Sequence, residues 1–142
     1  MITATAPGKV ILFGEHAVVY GRPALAAPVT QLRARAGVEM GDGPEVRLVA
    51  PDLGRATTLT AARADNALAA TARLMERRAG RPLPPGLSLS VSSAIPIASG
   101  LGSGAAIAVA VIRALGECFQ LELSREEVSA LAYEIERLHH GT

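Results

Sequence analysis

Tryptophan is missing from this 142-residue sequence, which has only two phenylalanines, two tyrosines and one cysteine. With so few aromatics, a core has to come from aliphatic side chains, and the 49% hydrophobic content, rich in Ala, Val, Leu and Ile, can supply it. The lone cysteine, Cys118, excludes an internal disulfide and fits a reducing compartment. It stands in an apolar, helix-like run, which points to an inert buried thiol rather than a reactive one. An excess of one charge is missing too. The net charge is +1, spread along the chain, so no field favours nucleic acid or an anionic membrane as partner. Met1-Ile2-Thr3-Ala4 lacks the charged start and long apolar stretch of a signal peptide. The strongest apolar run, Ala105 to Leu115, falls well short of the roughly 20 residues that span a bilayer. The expectation is a cytoplasmic protein with one domain and a proper core.

Lysine is nearly absent. Of 14 basic residues, 13 are Arg and one is Lys9. Where a chain otherwise takes Arg, a lone Lys suggests a need for a compact ammonium on a flexible stem, which a planar guanidinium cannot replace. Genome bias with one accidental Lys is the other reading, and composition does not choose between them.

What is present alternates between strand and helix patterns. Ile2 to Ala6 alternates as a strand broken by Pro7-Gly8, and Val10 to Phe13 is a second short apolar run. Further apolar runs cover Ala17 to Tyr20 and Ala24 to Ala27. Gln31 to Met40 and Glu45 to Val49 read as strands around a Gly41-Asp42-Gly43-Pro44 turn. Thr60 to Ala79 reads as a helix with Leu68, Ala72 and Met75 on one face and Gly80 as its C-cap. Leu87 to Val91 alternates as a strand. From about Leu101 to Glu117 the pattern is a helix apolar on most sides, hence central and buried. Ser124 and Glu127 stand at capping-box spacing ahead of a last helix, whose buried stripe is Val128, Leu131, Ala132, Ile135 and Leu138. The fold class is α+β, with strands in one layer and helices in the other.

Between the Leu87 strand and the central helix, Ser99 to Gly104 holds three glycines and two serines. Glycines let the backbone approach a ligand closely, and the helix that follows offers unpaired N–H groups and the positive end of its dipole. Such a set of donors suits an anion, a nucleotide phosphate above all, and the Ser103 hydroxyl adds one more. It is neither a Walker A loop nor a dinucleotide fingerprint, because no Gly-Lys-Ser/Thr follows and the spacing differs. On glycine content alone, a tight strand-to-helix turn remains the alternative.

The full string Ile95-Pro96-Ile97-Ala98-Ser99-Gly100-Leu101-Gly102-Ser103-Gly104-Ala105-Ala106 closely resembles the phosphate loop of the GHMP small-molecule kinases. Ala6-Pro7-Gly8-Lys9-Val10-Ile11-Leu12-Phe13-Gly14-Glu15-His16-Ala17-Val18-Val19-Tyr20-Gly21 is similar to the family's first motif, in the form that mevalonate kinases carry. The resemblance covers the whole chain. It implies a two-layer fold like ribosomal protein S5 domain 2, with residues 1–142 forming the N-terminal ATP-binding domain. It further implies transfer of the ATP γ-phosphoryl group to the primary hydroxyl of mevalonate with Mg²⁺ present, and it is compatible with a homodimer.

Residue by residue, the resemblance implies the following roles. Lys9 matches the active-site lysine that organises the substrate hydroxyl. His16 matches a mevalonate-contacting position, with Glu15 beside it orienting the loop. Ser93, Ala98, Ser99, Gly100, Leu101, Gly102, Ser103 and Gly104 match the ATP-binding positions, and Asn66 an adenosine-side asparagine of some relatives. Glu136 matches the magnesium-binding glutamate. From periodicity alone, His16 also suits a structural histidine, while Asn66 and Glu136 suit ordinary exposed helix positions. The sequence departs from the family at Gly104, where many members carry a serine that helps hold Mg²⁺. It also stops at His139-His140-Gly141-Thr142, where the family continues with Pro-Ser-Gly-x-Asp, so these 142 residues are expected not to turn over alone. Phosphomevalonate or homoserine phosphorylation is the nearest alternative, and a non-catalytic nucleotide-binding domain is the alternative of another class.

Overall fold

Small apolar residues alternate with polar ones along the first strand, and this decides which side of the sheet is covered. The computed structural model describes residues 1–13, 25–96 and 102–140, and only the backbone of 10–13, 25, 26, 139 and 140. In chain order the elements are β1 (Ile2–Phe13), β2 (Leu25–Met40), β3 (Arg47–Ala50), a 3-10 turn (Pro51–Leu53), β4 (Arg55–Thr58), α1 (Ala67–Ala79), β5 (Leu87–Ser93), α2 (Ser103–Cys118) and α3 (Arg125–His140). The strands form one sheet in the order β1-β2-β5-β3-β4. All neighbours are antiparallel except β3 and β5, which run parallel.

Register lines up the inward residues in rows across the sheet. Ile2, Val38, Leu89 and Leu48 make one row, Ala4, Ala36 and Val91 the next, and Ala6, Ala34 and Ser93 a third. The alternate residues Thr3, Thr5, Arg33, Arg35 and Arg47 are exposed on the other face. Alanine rows leave the sheet surface shallow, so the alanine-rich α2 can approach β1, β2 and β5 closely. This is how a core with Phe119 as its buried aromatic, and otherwise aliphatic, closes between sheet and helix. Met75, Leu87, Leu89, Ile112, Leu115 and Val111 are its largest fully buried side chains, each contributing on the order of 1.5–3 kcal/mol through burial. α1 and α3 pack on α2 and on each other. The two-layer α+β reading holds.

Four details depart from the sequence expectations. Pro7-Gly8 does not end the strand. The partners in β2 jump there from Arg33 to Val29, leaving Thr30, Gln31 and Leu32 without counterparts, and Arg33 Nε closes this bulge on the Thr30 carbonyl at 3.0 Å. The first helix begins at Ala67 rather than Thr60, because the Asn66 side chain accepts from the Ala69 N–H at 3.0 Å and caps it there. β2 and β3 flank the Gly41–Pro44 turn but do not pair, since β5 lies between them. Leu138 is 65% exposed instead of completing the buried stripe. α3 runs antiparallel to α2, with Leu123 just before it against Gly116 and Glu136 already at Gly104, so Leu138 lies beyond the first turn of α2.

The capping box of α3 forms as expected. Ser124 Oγ accepts from the Glu127 N–H at 3.1 Å, and Glu127 Oε1 accepts from the Ser124 N–H at 3.4 Å. Arg78 of α1 donates to the other Glu127 oxygen at 2.7 Å. Cys118 is half-buried rather than fully buried, and burial raises its thiol pKa against a smaller opposing pull from Arg81. No helix of the described residues is long and apolar enough to cross a membrane.

Candidate phosphate-binding site

Two ends of the sheet-and-helix layer meet at the start of α2. The first is Lys9, exposed on β1 just past the bulge. Bulges bend a strand and re-aim the side chains that follow. Here the Lys9 stem runs along Gly102: a methyl group on Gly102 would lie 3.2 Å from Lys9 Cγ, 3.4 Å from Cε and 3.8 Å from Cδ. The ammonium, one bond beyond Cε, is thereby held beside the amino end of α2.

Gly102 is the N-cap residue of α2 and sits in the left-handed region, with φ 72° and ψ 40°. A side chain there would meet both the backbone strain of that region and the lysine stem. As N-cap it also has no side chain with which to bond the first turn of α2, whereas Asn66 and Ser124 do so for α1 and α3. Gly102 itself therefore occupies none of the opening N–H groups of α2, the groups that bind anions at helix starts.

The second contributor is Glu136, half-buried on α3. A methyl group on Gly104 would come within 3.2 Å of its Oε1 and 3.9 Å of its Cδ. The absence of a side chain at position 104 is what lets the carboxylate rest on the first turn of α2. Lys9 and the positive end of the α2 dipole both favour an anion at this end of the helix. Among the described residues the Glu136 carboxylate lies at the same end and suits a cation that would arrive with such an anion.

Ser93 closes the strand that leads to this helix. Its Oγ accepts from the Ile95 N–H at 3.1 Å, which leaves the hydroxyl hydrogen outside that bond, and its own N–H donates to Asp52 Oδ2 at 2.9 Å. Sequence pattern does not single out Asp52, since Pro51-Asp52-Leu53-Gly54 reads only as a turn. The structure thus gathers Lys9, Gly102, Gly104 and Glu136 at one end of α2, with Ser103 as the first residue of that helix. It gives Asn66 a local task as the cap of α1. Glu15, His16, Ala98, Ser99, Gly100 and Leu101 lie outside the described residues. A concavity of about 260 Å³ by Arg113 and Arg125 and one of about 450 Å³ by Arg47 and Thr58 lie elsewhere, and no residue of the cluster lines either.

The family described as GHMP kinases N terminal domain matches residues 66–142, which take in β5, the glycine-rich segment, α2 and α3. This chain belongs to the GHMP kinase family. Among its GHMP relatives, the mevalonate kinase of Thermococcus sibiricus is 38% identical over 99% of this chain and 46% of that protein. The mevalonate kinase of Archaeoglobus fulgidus is 41% identical over 94% of this chain and 44% of its own length. The crystal structure of the Methanococcus jannaschii mevalonate kinase superposes with a TM-score of 0.87 at 26% identity, covering 99% of this chain and 47% of that one. The chain thus spans a little under half the length of the GHMP kinases it resembles.

Proposed function

We propose that this chain is the nucleotide-cradling part of an ATP-dependent mevalonate kinase, acting in the cytoplasm on a small-molecule alcohol. The observation that carries the reading is the meeting of Lys9, the start of α2 and Glu136 across Gly102 and Gly104. The relatives' names supply the substrate, and the geometry supplies the chemistry.

The N–H groups at the start of α2 and the helix dipole would hold the ATP phosphates, with the Ser103 hydroxyl as a further donor. The Lys9 ammonium, kept in place by the contact of its stem with Gly102, would offset charge that develops on the transferring group and on the substrate hydroxyl. The Ser93 hydroxyl, whose oxygen accepts from the Ile95 N–H, would donate its hydrogen to the nucleotide.

Mg²⁺ suits the donors present. Among the described residues no trio of His, Cys, Asp or Glu is grouped to hold a metal, and Mg²⁺ in phosphoryl-transfer sites typically takes one or two carboxylates with phosphates and water. Glu136 would be that carboxylate. The ion, when bound, neutralises phosphate charge. Gly104 contributes no ligand of its own.

Mevalonate-dependent formation of ADP by the protein expressed from its complete coding sequence tests this reading. Turnover with phosphomevalonate or homoserine, and none with mevalonate, would move the substrate to another member of the family. Nucleotide binding without turnover on any of them would leave a binding domain only.

A further inference from the structure

β3 and β5 run parallel, and their pairing ends at Val49 and Ser90. β5 goes on to Ser93, with β2 still paired on one side through Ala36–Val91, Arg35–Ser92 and Ala34–Ser93. On the other side β3 has already stopped. Successive N–H groups of a strand point to opposite sides, so an N–H in this last stretch faces a side where β3 no longer offers an acceptor.

The chain supplies one from the turn that follows β3. Pro51–Leu53 forms a single 3-10 turn, closed by the Gly54 N–H on the Pro51 carbonyl at 3.0 Å. Its Asp52 places Oδ2 2.9 Å from the Ser93 nitrogen. The next N–H, of Ala94, turns the other way onto the Arg33 carbonyl of β2 at 3.0 Å. The one after it, of Ile95, returns to Ser93 Oγ at 3.1 Å. Three consecutive N–H groups are thus fixed on three different elements immediately before Pro96 and the glycine-rich segment.

We propose that Asp52 is a positioning residue for nucleotide binding: its carboxylate takes the place of β3 at the end of β5 and sets the point from which the chain enters the phosphate loop. A hydrogen bond to an ionised acceptor is stronger than a neutral one and holds its donor more narrowly. Asp52 does not touch the phosphates in this account; it acts through Ser93. The effect on nucleotide rests on the kinase reading above, while the effect on the strand end does not.

Two measurements on the protein from its complete coding sequence separate these. One is amide hydrogen exchange at Ser92 to Ile95, and the other is affinity for a fluorescent ATP analogue together with KM for ATP and kcat. Asp52→Ala should speed exchange in that stretch roughly tenfold. It should also raise KM and weaken analogue binding about fivefold, with kcat within about twofold. Asp52→Asn keeps an oxygen acceptor in place and should restore both to within about twofold of the parent. If Asp52→Ala is recovered unfolded, Asp52→Ser, whose hydroxyl is one bond too short, gives the same readouts.

Unchanged exchange in Asp52→Ala would overturn the proposal, as would an Asp52→Asn no better than Asp52→Ala. Loss of thermal stability with KM unchanged would reduce Asp52 to a structural residue and likewise overturn it. If the parent protein binds no nucleotide, the kinase reading falls, and the exchange data alone decide whether Asp52 holds the strand end.

Discussion

Glu136 Oε1 lies where the side chain of residue 104 would otherwise begin: a methyl group on Gly104 would approach it to 3.2 Å. That contact is tighter than an ordinary van der Waals one, so a side chain at this position requires the carboxylate to give way by a few tenths of an ångström.

Gly104→Ala should therefore separate stability from activity. Replacing glycine by alanine in the first turn of a helix contributes up to about 1 kcal/mol to stability, offset in part by the crowding. The shifted carboxylate should lower kcat roughly threefold to tenfold and raise the Mg²⁺ concentration needed for half-maximal rate. Thermal unfolding and a Mg²⁺ titration of the rate check the two directions. A variant as active as the parent at low Mg²⁺ would disprove the part assigned to Glu136.

Gly102→Ala and Gly80→Ala form a matched pair. Both glycines have φ near +70°, at 72° and 73°. A methyl group on Gly80 has no neighbour within 4 Å, whereas one on Gly102 meets the Lys9 stem. Each substitution should cost about 1–2 kcal/mol in denaturant unfolding, through backbone conformation alone. Only Gly102→Ala should also impair ADP formation.

Lys9→Arg tests whether the lone lysine is chosen for its chemistry. Arginine keeps the charge but replaces a compact ammonium with a wider planar fork at the end of a stem that lies against Gly102. The rate should drop on the order of a hundredfold, with the unfolding midpoint little changed. Full activity in Lys9→Arg would return this lysine to accident.

The α3 cap carries a pH dependence. Its hydrogen bonds to Arg78 and then to Ser124 hold the Glu127 carboxyl below its ordinary value of 4.5. A carboxylate with a lowered folded pKa contributes stability that is present above the unfolded value and is lost as the pH falls through the folded one. Urea midpoints of the parent and Glu127→Gln should differ near neutral pH and converge as the pH drops below 4.5. Ser124→Ala should cost about 1 kcal/mol at neutral pH. Midpoints that stay equally far apart in acid would rule out this coupling.

How much of this was legible in the sequence follows from the range of the interactions involved. The Ser124–Glu127 box was readable because both partners lie within one helical turn, and so was the glycine-rich entry to α2. Local spacing also located Gly80 as the C-cap. It failed at Thr60 to Asp65, where helix-compatible alanines are overruled by the cap at Asn66. It failed again at Pro7-Gly8, where a neighbouring strand absorbs the irregularity as a bulge. The Lys9–Gly102, Gly104–Glu136 and Asp52–Ser93 contacts join residues far apart in the chain, so periodicity held no trace of them. Lys9 and Glu136 could be named only because their motifs resemble a known family. Asp52 belongs to none of those motifs and came to light only when the strands were laid side by side.

The position of β5 between β2 and β3 also governs the order in which the molecule can assemble. A ribosome delivers β1 to β4 first, yet β3 and β4 have no place in the sheet until residues 87–93 emerge and dock against β2. Until then β2 presents an unpaired edge, and the alanine rows lack the helix meant to cover them, since α2 is made later still. Contacts that bridge such long stretches slow folding and leave strand edges exposed in the meantime. The nascent chain therefore passes through an interval, lasting until β5 and α2 have been made, in which the β2 edge and the alanine rows are open to self-association.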